Sequence, residues 1–331
     1  MGLWKLRLSM YGTLTLIIML STLFFAIILT LIGTLNILLL AAFVVIFNIL
    51  QWLYAPKIID SIYHTKEISP NDNPKLYNAV KRLSEKMGLK MPKLMIAHIP
   101  IPNAFAYGSP LTGPRVAVTS ELLRVLEDEE VEAVIGHELG HLKHRDVQIM
   151  MFVSVLPAIF YFLGYSLMLS GWFGGYRGRN NIGYMMIVGF ICLIVYWILS
   201  LFVLGLSRYR EYYADRRSAT TVEDGARKLS EALAKIVHHT SKVKSFYAEK
   251  NIGALGAFKS LFISDPDRAE TDILNLSTLR HLTDQQLVNK ILSRKITFAD
   301  RLIELFSSHP NIVKRLKALK EIEEKSRYGV A

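Results

Sequence analysis

The sequence predicts a mostly α-helical protein with a small β-sheet, in which four transmembrane helices accompany one polar domain. Two observations support this fold class. Apolar residues make up 51% of the 331-residue chain and are concentrated in blocks long enough to cross a bilayer. The polar segments between these blocks show helical periodicity, interrupted by two short apolar runs that are typical of strands.

Four apolar runs predict the membrane-spanning helices. No charged residue occurs between Tyr11 and Tyr54, a stretch too long for one span of about 20 residues and sufficient for two. Gly33–Asn36 is the natural turn between this pair. Two later runs are each long enough to cross about 30 Å of hydrocarbon. We therefore predict spans at 12–32, 36–54, 147–169 and 182–206.

Basic residues flank these spans mainly on one side. Arg177 and Arg179, in the loop after the third span, oppose the bias but are outnumbered. The positive-inside rule places both termini and both long polar segments in the cytoplasm of a multi-pass cell-membrane protein. The predicted domains are a transmembrane hairpin at 12–54, the first part of a cytoplasmic domain at 55–146, a second hairpin at 147–206 and the second cytoplasmic part at 207–331.

The net charge of +11 suits either nucleic acid or an anionic membrane surface. Because the chain has no Arg-rich recognition helix and no basic strand interleaved with aromatic residues, we expect the lipid bilayer and no nucleic acid as a partner. The one cysteine, Cys192, lies in an apolar run, where a packed or lipid-facing small residue is the expected role.

In the polar segments, Asn73–Pro74 predicts the start of a helix that ends at Gly88. The runs at 93–99 and 115–119 predict strands. From Ser120, a candidate N-cap, the pattern predicts one helix through residue 146. Two further helices are predicted at 223–247 and 310–325.

The 120–146 helix carries a metal-binding pattern. His137 and His141 are four residues apart, so their rings lie on one helical face, and Glu138 projects beside them. Two imidazoles at this spacing bind one Zn²⁺, and the adjacent carboxylate acts as a general base in hydrolases that use the pattern. The alternative to a zinc site is a surface helix that carries two histidines without a metal.

A catalytic zinc needs a third protein ligand. His144 is almost two turns from His137, roughly 10 Å along the axis, so we expect it to be a surface or interfacial residue. Glu211 is the candidate ligand, and Asp215, on the same helical face, is a candidate to orient a ligand histidine through its ring N–H. The alternative is an exposed acidic pair bound to Arg208 and Arg210.

The positions of the two half-sites along the chain favour the metal site. His141 lies six residues before the third span, about 9 Å of helix, and Glu211 lies five residues after the fourth span, about 7 Å. If these spans pair, both half-sites lie at the same depth, just above the lipid headgroups.

These residues resemble the HtpX-like membrane metalloproteases, which share a catalytic core with the CAAX prenyl endoproteases. The similarity covers nearly the whole chain, from the first span to about residue 320. It is carried by the four-span layout, the Asn103-Ala104-Phe105-Ala106 stretch, the histidine motif, Ser207-Arg208 leading to Glu211 and Asp215, and Ser308-His309-Pro310 followed by Arg315.

The resemblance implies a zincin-type metalloprotease domain with one Zn²⁺ per chain, held by His137, His141 and Glu211, with Glu138 as general base. It also implies cytoplasmic proteolysis of membrane proteins that are damaged or misfolded. Asn103, Ala104 and Phe105 would form an edge strand for an extended peptide, or an ordinary loop with Phe105 in the core. His309 and Arg315 would hold substrate carbonyl or oxyanion charge, or instead start a helix and lie on its surface.

Three other functions are weighed against a protease of polypeptide substrates. A CAAX-type prenyl endopeptidase is disfavoured because those enzymes have more spans. A non-catalytic zinc-binding membrane protein normally has four closed ligands, often cysteine. A transporter or channel calls for ionisable residues at mid-membrane depth, which these spans lack. The 248–300 region matches no chemistry and is interpreted as an insert or lid.

Overall fold

The computed structural model describes residues 37–173, 182–247 and 283–327. The chain divides into two compact units, Met1–Trp52 with Gln148–Leu204 and Leu53–Val147 with Gly205–Ala331. We call the first the apolar unit and the second the polar unit.

The strands are β1 (Lys66–Glu67), β2 (Lys93–Ala97), β3 (Ala104–Ser109) and β4 (Gly113–Thr119). The helices are α1 (Ile37–Tyr63), α2 (Pro74–Lys86), α3 (Ser120–Val125), α4 (Asp128–Lys143), α5 (Asp146–Phe173), α6 (Ile182–Thr221), α7 (Gly225–Tyr247), α8 (Asp284–Leu292), α9 (Phe298–Leu305) and α10 (Ile312–Arg327). The prediction of a mostly α-helical chain with a small sheet is confirmed.

Three helices in the described ranges are long and apolar enough to cross a membrane: Ala42–Tyr63, Asp146–Leu169 and Gly183–Thr221. The structure therefore gives three candidate spans rather than the four predicted, and the predicted span at 12–32 lies outside the described residues. The helix predicted at 36–54 continues to Tyr63, because α1 passes through Pro56 without ending. In the apolar unit, Gly164 and Gly189 let α5 and α6 approach closely, since a Cβ on Gly164 would lie 2.7 Å from the Gly189 carbonyl oxygen.

The sheet of the polar unit is mixed, with strand order β1-β2-β4-β3. β2 and β4 are parallel, and the two outer pairings are antiparallel. Because β3 pairs only with β4 in this order, it forms one edge of the sheet. The stretch from Asn103 that the sequence left open between strand and loop is therefore a strand from Ala104 onward.

The two faces of this sheet are covered differently. Ala104, Val116 and Val118 belong to the main core of the polar unit, which also contains the apolar side of α4. On the other face, Phe105 and Tyr107 pack with the last turns of α1 around Tyr63. Phe105 is consequently both a strand residue and a core residue, and the zinc-motif helix α4 lies behind the edge strand.

Several local predictions are confirmed. α2 begins at Pro74, with the Asn73 side chain accepting a hydrogen bond from Leu76 N. The strands at 93–99 and 115–119 and the helices at 223–247 and 310–325 are observed as β2, β4, α7 and α10, within a few residues at each end.

The prediction of one helix from Ser120 to residue 146 is wrong. The N-cap is Thr119, whose hydroxyl accepts from Leu122 N, and the chain becomes extended at Leu126. Glu127 and Glu130 then form a capping box that starts α4, so two helices replace one. α4 ends at Lys143 and Arg145 has a φ of 55°, so α5 starts in a new direction at Asp146.

Candidate metal centre

Two neighbouring turns of α4 present the histidine pair. The rings of His137 and His141 are edge to face, with centroids 4.7 Å apart. Their Nε2 atoms lie 3.1 Å from each other. His137 is buried, and His141 is partly exposed. Both rings therefore direct the same nitrogen toward one point beside the helix.

Glu211 on α6 supplies a carboxylate at that point. Its Oε1 lies 3.5 Å from His141 Nε2, and its Oε2 lies 3.7 Å from His137 Nε2. One ligand atom from each of the three residues lies within 4.8 Å of the other two. Bonds of about 2.0–2.1 Å in a tetrahedral shell separate ligand atoms by about 3.3 Å. The three donors fit one small divalent ion.

Small residues bring α4 and α6 together at this level. A Cβ on Gly140 would lie 3.2 Å from Ala214 Cα, and one on Gly136 would lie 3.0 Å from Ser218 Oγ. The Ser218 hydroxyl donates to the Ala133 carbonyl at 2.6 Å. Because no side chain separates the two backbones here, the histidine half-site and the carboxylate half-site are held at a short, fixed distance.

A bulky residue at Gly140 tests this arrangement. We expect Gly140→Val to push Ala214 and its helix away from α4, and thus to weaken metal binding about tenfold or more, consistent with overpacking penalties of about 1–3 kcal/mol. Gly183→Val is the matched control, since a Cβ at Gly183 meets nothing within 4 Å among the described residues. Metal affinity is measured by competition with a chelating dye. Equal affinities for the two variants would contradict the role given to Gly140.

Each histidine has a carboxylate at its second nitrogen. His137 Nδ1 lies 2.9 Å from Asp215 Oδ1, and Asp215 is the residue predicted from the sequence to orient a ligand histidine. His141 Nδ1 lies 2.6 Å from Asp146 Oδ2, and Arg210 also pairs with Asp146. Carboxylates in this position fix the tautomer and the ring orientation of a ligand histidine.

Sequence reasoning missed Asp146. The signal was present, because Asp146 follows His141 by five residues, but on one continuous helix that spacing points away from the histidine. The break at His144–Arg145 brings the carboxylate back. Arg210 stabilises this turn by donating to the His144 carbonyl at 3.0 Å.

Removing Asp146 should loosen the metal centre. We expect Asp146→Ala to weaken metal affinity by about 10–100-fold, the usual effect of losing a partner of a ligand histidine. Asp128→Ala is the control, because it also removes an acid from a first helical turn but one that, among the described residues, pairs with exposed Lys75. Metal titration of both variants is the measurement. An unchanged affinity for Asp146→Ala would show that His141 needs no partner.

Arg315 and His309 close the centre from the far side. The guanidinium of Arg315 is 1% exposed and donates to both oxygens of Asp215, at 2.8 and 2.6 Å. It also lies 3.2 Å from Glu211 Oε2. His309 is buried, with Nδ1 3.4 Å from the same oxygen. The alternative of a surface Arg315 is therefore wrong.

The charge on Arg315 balances the buried carboxylates. Burial alone would lower its pKa, but Asp215 and Glu211 raise the pKa of Arg315 above its ordinary value. The Arg315 guanidinium thus remains charged next to the two buried carboxylates of Asp215 and Glu211. Asp215 and Glu211 are both buried and so do not form the exposed pair that was the alternative.

The remaining predicted site residues lie as follows. Glu138 is buried, next to His137 on α4. His144 forms the C-cap of α4, with its ring 6.1 Å from that of Tyr213, and burial together with Arg217 lowers its pKa. It is outside the metal cluster, as predicted. Asn103 is buried just before β3, where its N–H donates to Thr119 Oγ1.

The sequence matches a known family over most of its length. Residues 70–323 match the model of peptidase family M48. The chain therefore belongs to peptidase family M48. It is a metalloprotease, and its apolar helices make it a membrane protein.

Curated relatives agree with this M48 assignment. The chain is 36% identical over 282 residues to "Protease HtpX homolog" of Thermoplasma acidophilum, covering 84% of this chain and 83% of the relative. It is 38% identical over 290 residues to "Protease HtpX homolog 2" of Sulfurisphaera tokodaii, covering 85% and 84%. The resemblance to HtpX-like proteases is confirmed.

A solved structure shares the fold of this M48 protease. The crystal structure of S. mikatae Ste24p matches with a TM-score of 0.56 and 17% identity. The match covers 96% of this chain and 66% of that one. At this identity the similarity concerns the fold alone.

Proposed function

We propose that the protein is a zinc-dependent endopeptidase holding one Zn²⁺ per chain through His137, His141 and Glu211. The observation that carries the proposal is the convergence of two Nε2 atoms and one carboxylate within 4.8 Å, from two different helices. Nitrogen and oxygen donors in this number suit a catalytic zinc, which keeps one position open. A structural zinc would need a fourth protein ligand, and the single cysteine of the chain, Cys192, lies in the apolar unit.

When bound, zinc would act as a Lewis acid on the scissile carbonyl and on the attacking water. Glu138, adjacent to the ligand His137, takes the proton from that water and delivers it to the leaving amine. Arg315 does not reach substrate in this proposal, because its guanidinium is occupied by Asp215 and Glu211. It acts as a positioning residue that fixes the two carboxylates.

His309 is the proposed group for the charge that develops on the carbonyl oxygen. Its Nδ1 faces Glu211, and its Nε2 is buried without a hydrogen-bond partner among the described residues. A donor held ready in a water-poor site stabilises an oxyanion more than it stabilises a neutral carbonyl. His309 thus takes the role that the family resemblance implied for His309 and Arg315 together.

The edge strand β3 is the proposed binding surface for the peptide. The Asn103 carbonyl oxygen accepts a hydrogen bond from Thr119 N. In an antiparallel pair, every second residue bonds to the partner strand, so the backbones of Phe105 and Tyr107 also bond to β4. The N–H and C=O groups of Ala104, Ala106 and Gly108 then point away from β4; Ala106 and Gly108 are partly exposed, whereas Ala104 is buried. A peptide that pairs with them is recognised through its backbone, so many sequences fit.

We propose further that the substrates are membrane proteins that are damaged or misfolded, cleaved on the cytoplasmic side. Backbone recognition suits unfolded chains, and the flanking basic residues favour the cytoplasm for both polar segments. The side is tested with Lys75→Cys in a Cys192→Ala background. A membrane-impermeant maleimide should label the variant only after the cells are permeabilised, and labelling of intact cells would overturn this orientation.

The reaction is tested with the purified protein in detergent. We expect it to cleave an unfolded soluble protein and a destabilised membrane protein, to stop after chelation, and to recover with zinc. A farnesylated peptide is included as a third substrate. Cleavage that continues in chelator would contradict the zinc mechanism, and cleavage of the farnesylated peptide alone would replace the broad substrate class by prenylated proteins.

A further inference from the structure

Helix α9 carries an apolar stripe that the fold leaves in contact with solvent. Phe298, Leu302 and Leu305 are 75%, 46% and 40% exposed. Their spacing of four and three residues places them on one face of the helix. Isolated exposed leucines are ordinary on protein surfaces. A row of exposed apolar side chains that begins with a phenylalanine instead indicates a surface that contacts a membrane or another molecule.

The opposite face of α9 is firmly attached to the polar unit. Asp300 accepts from Arg294 at 2.9 Å and caps the helix with Thr297. Glu304 binds Lys314 Nζ at 2.5 Å and Asn311 N at 3.2 Å. Both carboxylates are buried. The stripe is thus exposed because the polar face of the helix is the one that packs inward.

The charges that remain at the surface of α9 are positive. Its two acids are turned inward and paired, whereas Arg301 on the helix and Lys295 just before it are exposed. A helix with an apolar face bordered by Lys and Arg is typical of segments that lie in the membrane interface. Long basic side chains at this border reach anionic headgroups while the apolar residues lie deeper.

The C-terminus of α9 is bound to α6 through Arg208. Arg208 donates to the carbonyl oxygens of Glu304 and Ser307, at 2.8 and 2.7 Å. Arg208 follows the last residue of the predicted span, 206, by two positions. The next residue, Tyr209, is 67% exposed, and tyrosine is enriched at the membrane–water interface.

We propose that α9 lies flat in the bilayer interface, with Phe298, Leu302 and Leu305 among the upper acyl chains and Arg301 and Lys295 on anionic phospholipid headgroups. Lipid is favoured over a protein partner by the basic border and by the link to the membrane-spanning helix through Arg208. The segment after α9 carries His309, so the docked helix would hold this residue of the metal centre beside the bilayer. Membrane docking of α9 does not depend on the proposed reaction.

Site-directed spin labelling of the full chain tests the position of α9. In a Cys192→Ala background, Leu302→Cys carries a nitroxide, and Phe298→Cys provides a second position should the first variant fold poorly. Gln285→Cys, on an exposed position of α8, is the control. The protein is placed in nanodiscs of phosphatidylcholine with phosphatidylglycerol. Collisions with oxygen and with a water-soluble nickel chelate then report the depth of each label.

We expect the labels at 298 and 302 to favour oxygen and to lie about 5–10 Å below the phosphates, whereas the label at 285 favours the nickel chelate. In nanodiscs of phosphatidylcholine alone, the labels at 298 and 302 should become more accessible to nickel, because the basic border loses its counter-charge. Nickel accessibility equal to that at 285 would overturn the proposal. So would protection from both reagents, which would mean that protein, such as a second copy, covers the stripe.

Discussion

Replacing Glu138 with glutamine is expected to abolish proteolysis while leaving zinc in place. The amide keeps the size of the side chain but cannot take a proton from water, and loss of a general base typically lowers the rate by about 10²–10⁴-fold. His137, His141 and Glu211 are unchanged, so zinc content should remain at the wild-type level. The measurements are the rate of cleavage of an unfolded protein and metal analysis of the same sample.

Glu132→Gln is the matched control for Glu138→Gln. It makes the same substitution on the same helix, at a carboxylate paired with Arg82 rather than at the metal cluster. We expect nearly wild-type cleavage from this variant. Should Glu138→Gln also cleave at the wild-type rate, another residue must move the proton and the assignment of Glu138 is lost.

Replacing Glu211 with alanine is expected to remove zinc from the protein. The change leaves only His137 and His141 as ligands, so the loss of affinity should exceed the roughly 10–100-fold effect of losing an outer partner. It also removes one of the two carboxylates beside buried Arg315, the other being Asp215. Metal content after purification and thermal unfolding with and without added zinc are the measurements.

Glu231→Ala is the control for Glu211→Ala, because Glu231 is also buried and also pairs with an arginine, Arg227, away from the metal cluster. Both variants should lose some stability, but only Glu211→Ala should lose zinc and the stabilisation by added zinc. Wild-type zinc content in Glu211→Ala would remove this residue from the ligand set.

Much of the candidate metal centre could be predicted from the sequence because its residues occur in pairs spaced four positions apart on helices. The four-residue spacing of His137 and His141, and that of Glu211 and Asp215, places each pair on one face before any tertiary contact is known. The same rule extends to Gly136 with Gly140 and to Ala214 with Ser218, which form the close crossing between the helices. That pattern was available in the sequence and was not used.

Other parts of the centre depend on contacts that spacing does not encode. Asp146 reaches His141 only because the chain turns at Arg145, which adopts a left-handed conformation. Arg315 pairs with Asp215, which lies 100 positions earlier in the sequence. The burial of Arg315 follows from this long-range pairing and not from a local sequence pattern. The break at Leu126 was missed because apolar periodicity continues through it, while the capping groups of Thr119 and Glu127 decide where the helices start.

The buried guanidinium of Arg315 also bears on the order of events during synthesis. The histidine motif is translated long before α10, so a ribosome-bound chain carries both imidazoles while Asp215 and Glu211 still lack their cation. Two uncompensated carboxylates resist burial together, so we expect the carboxylate half-site to reach its final packing only after Arg315 has been synthesised.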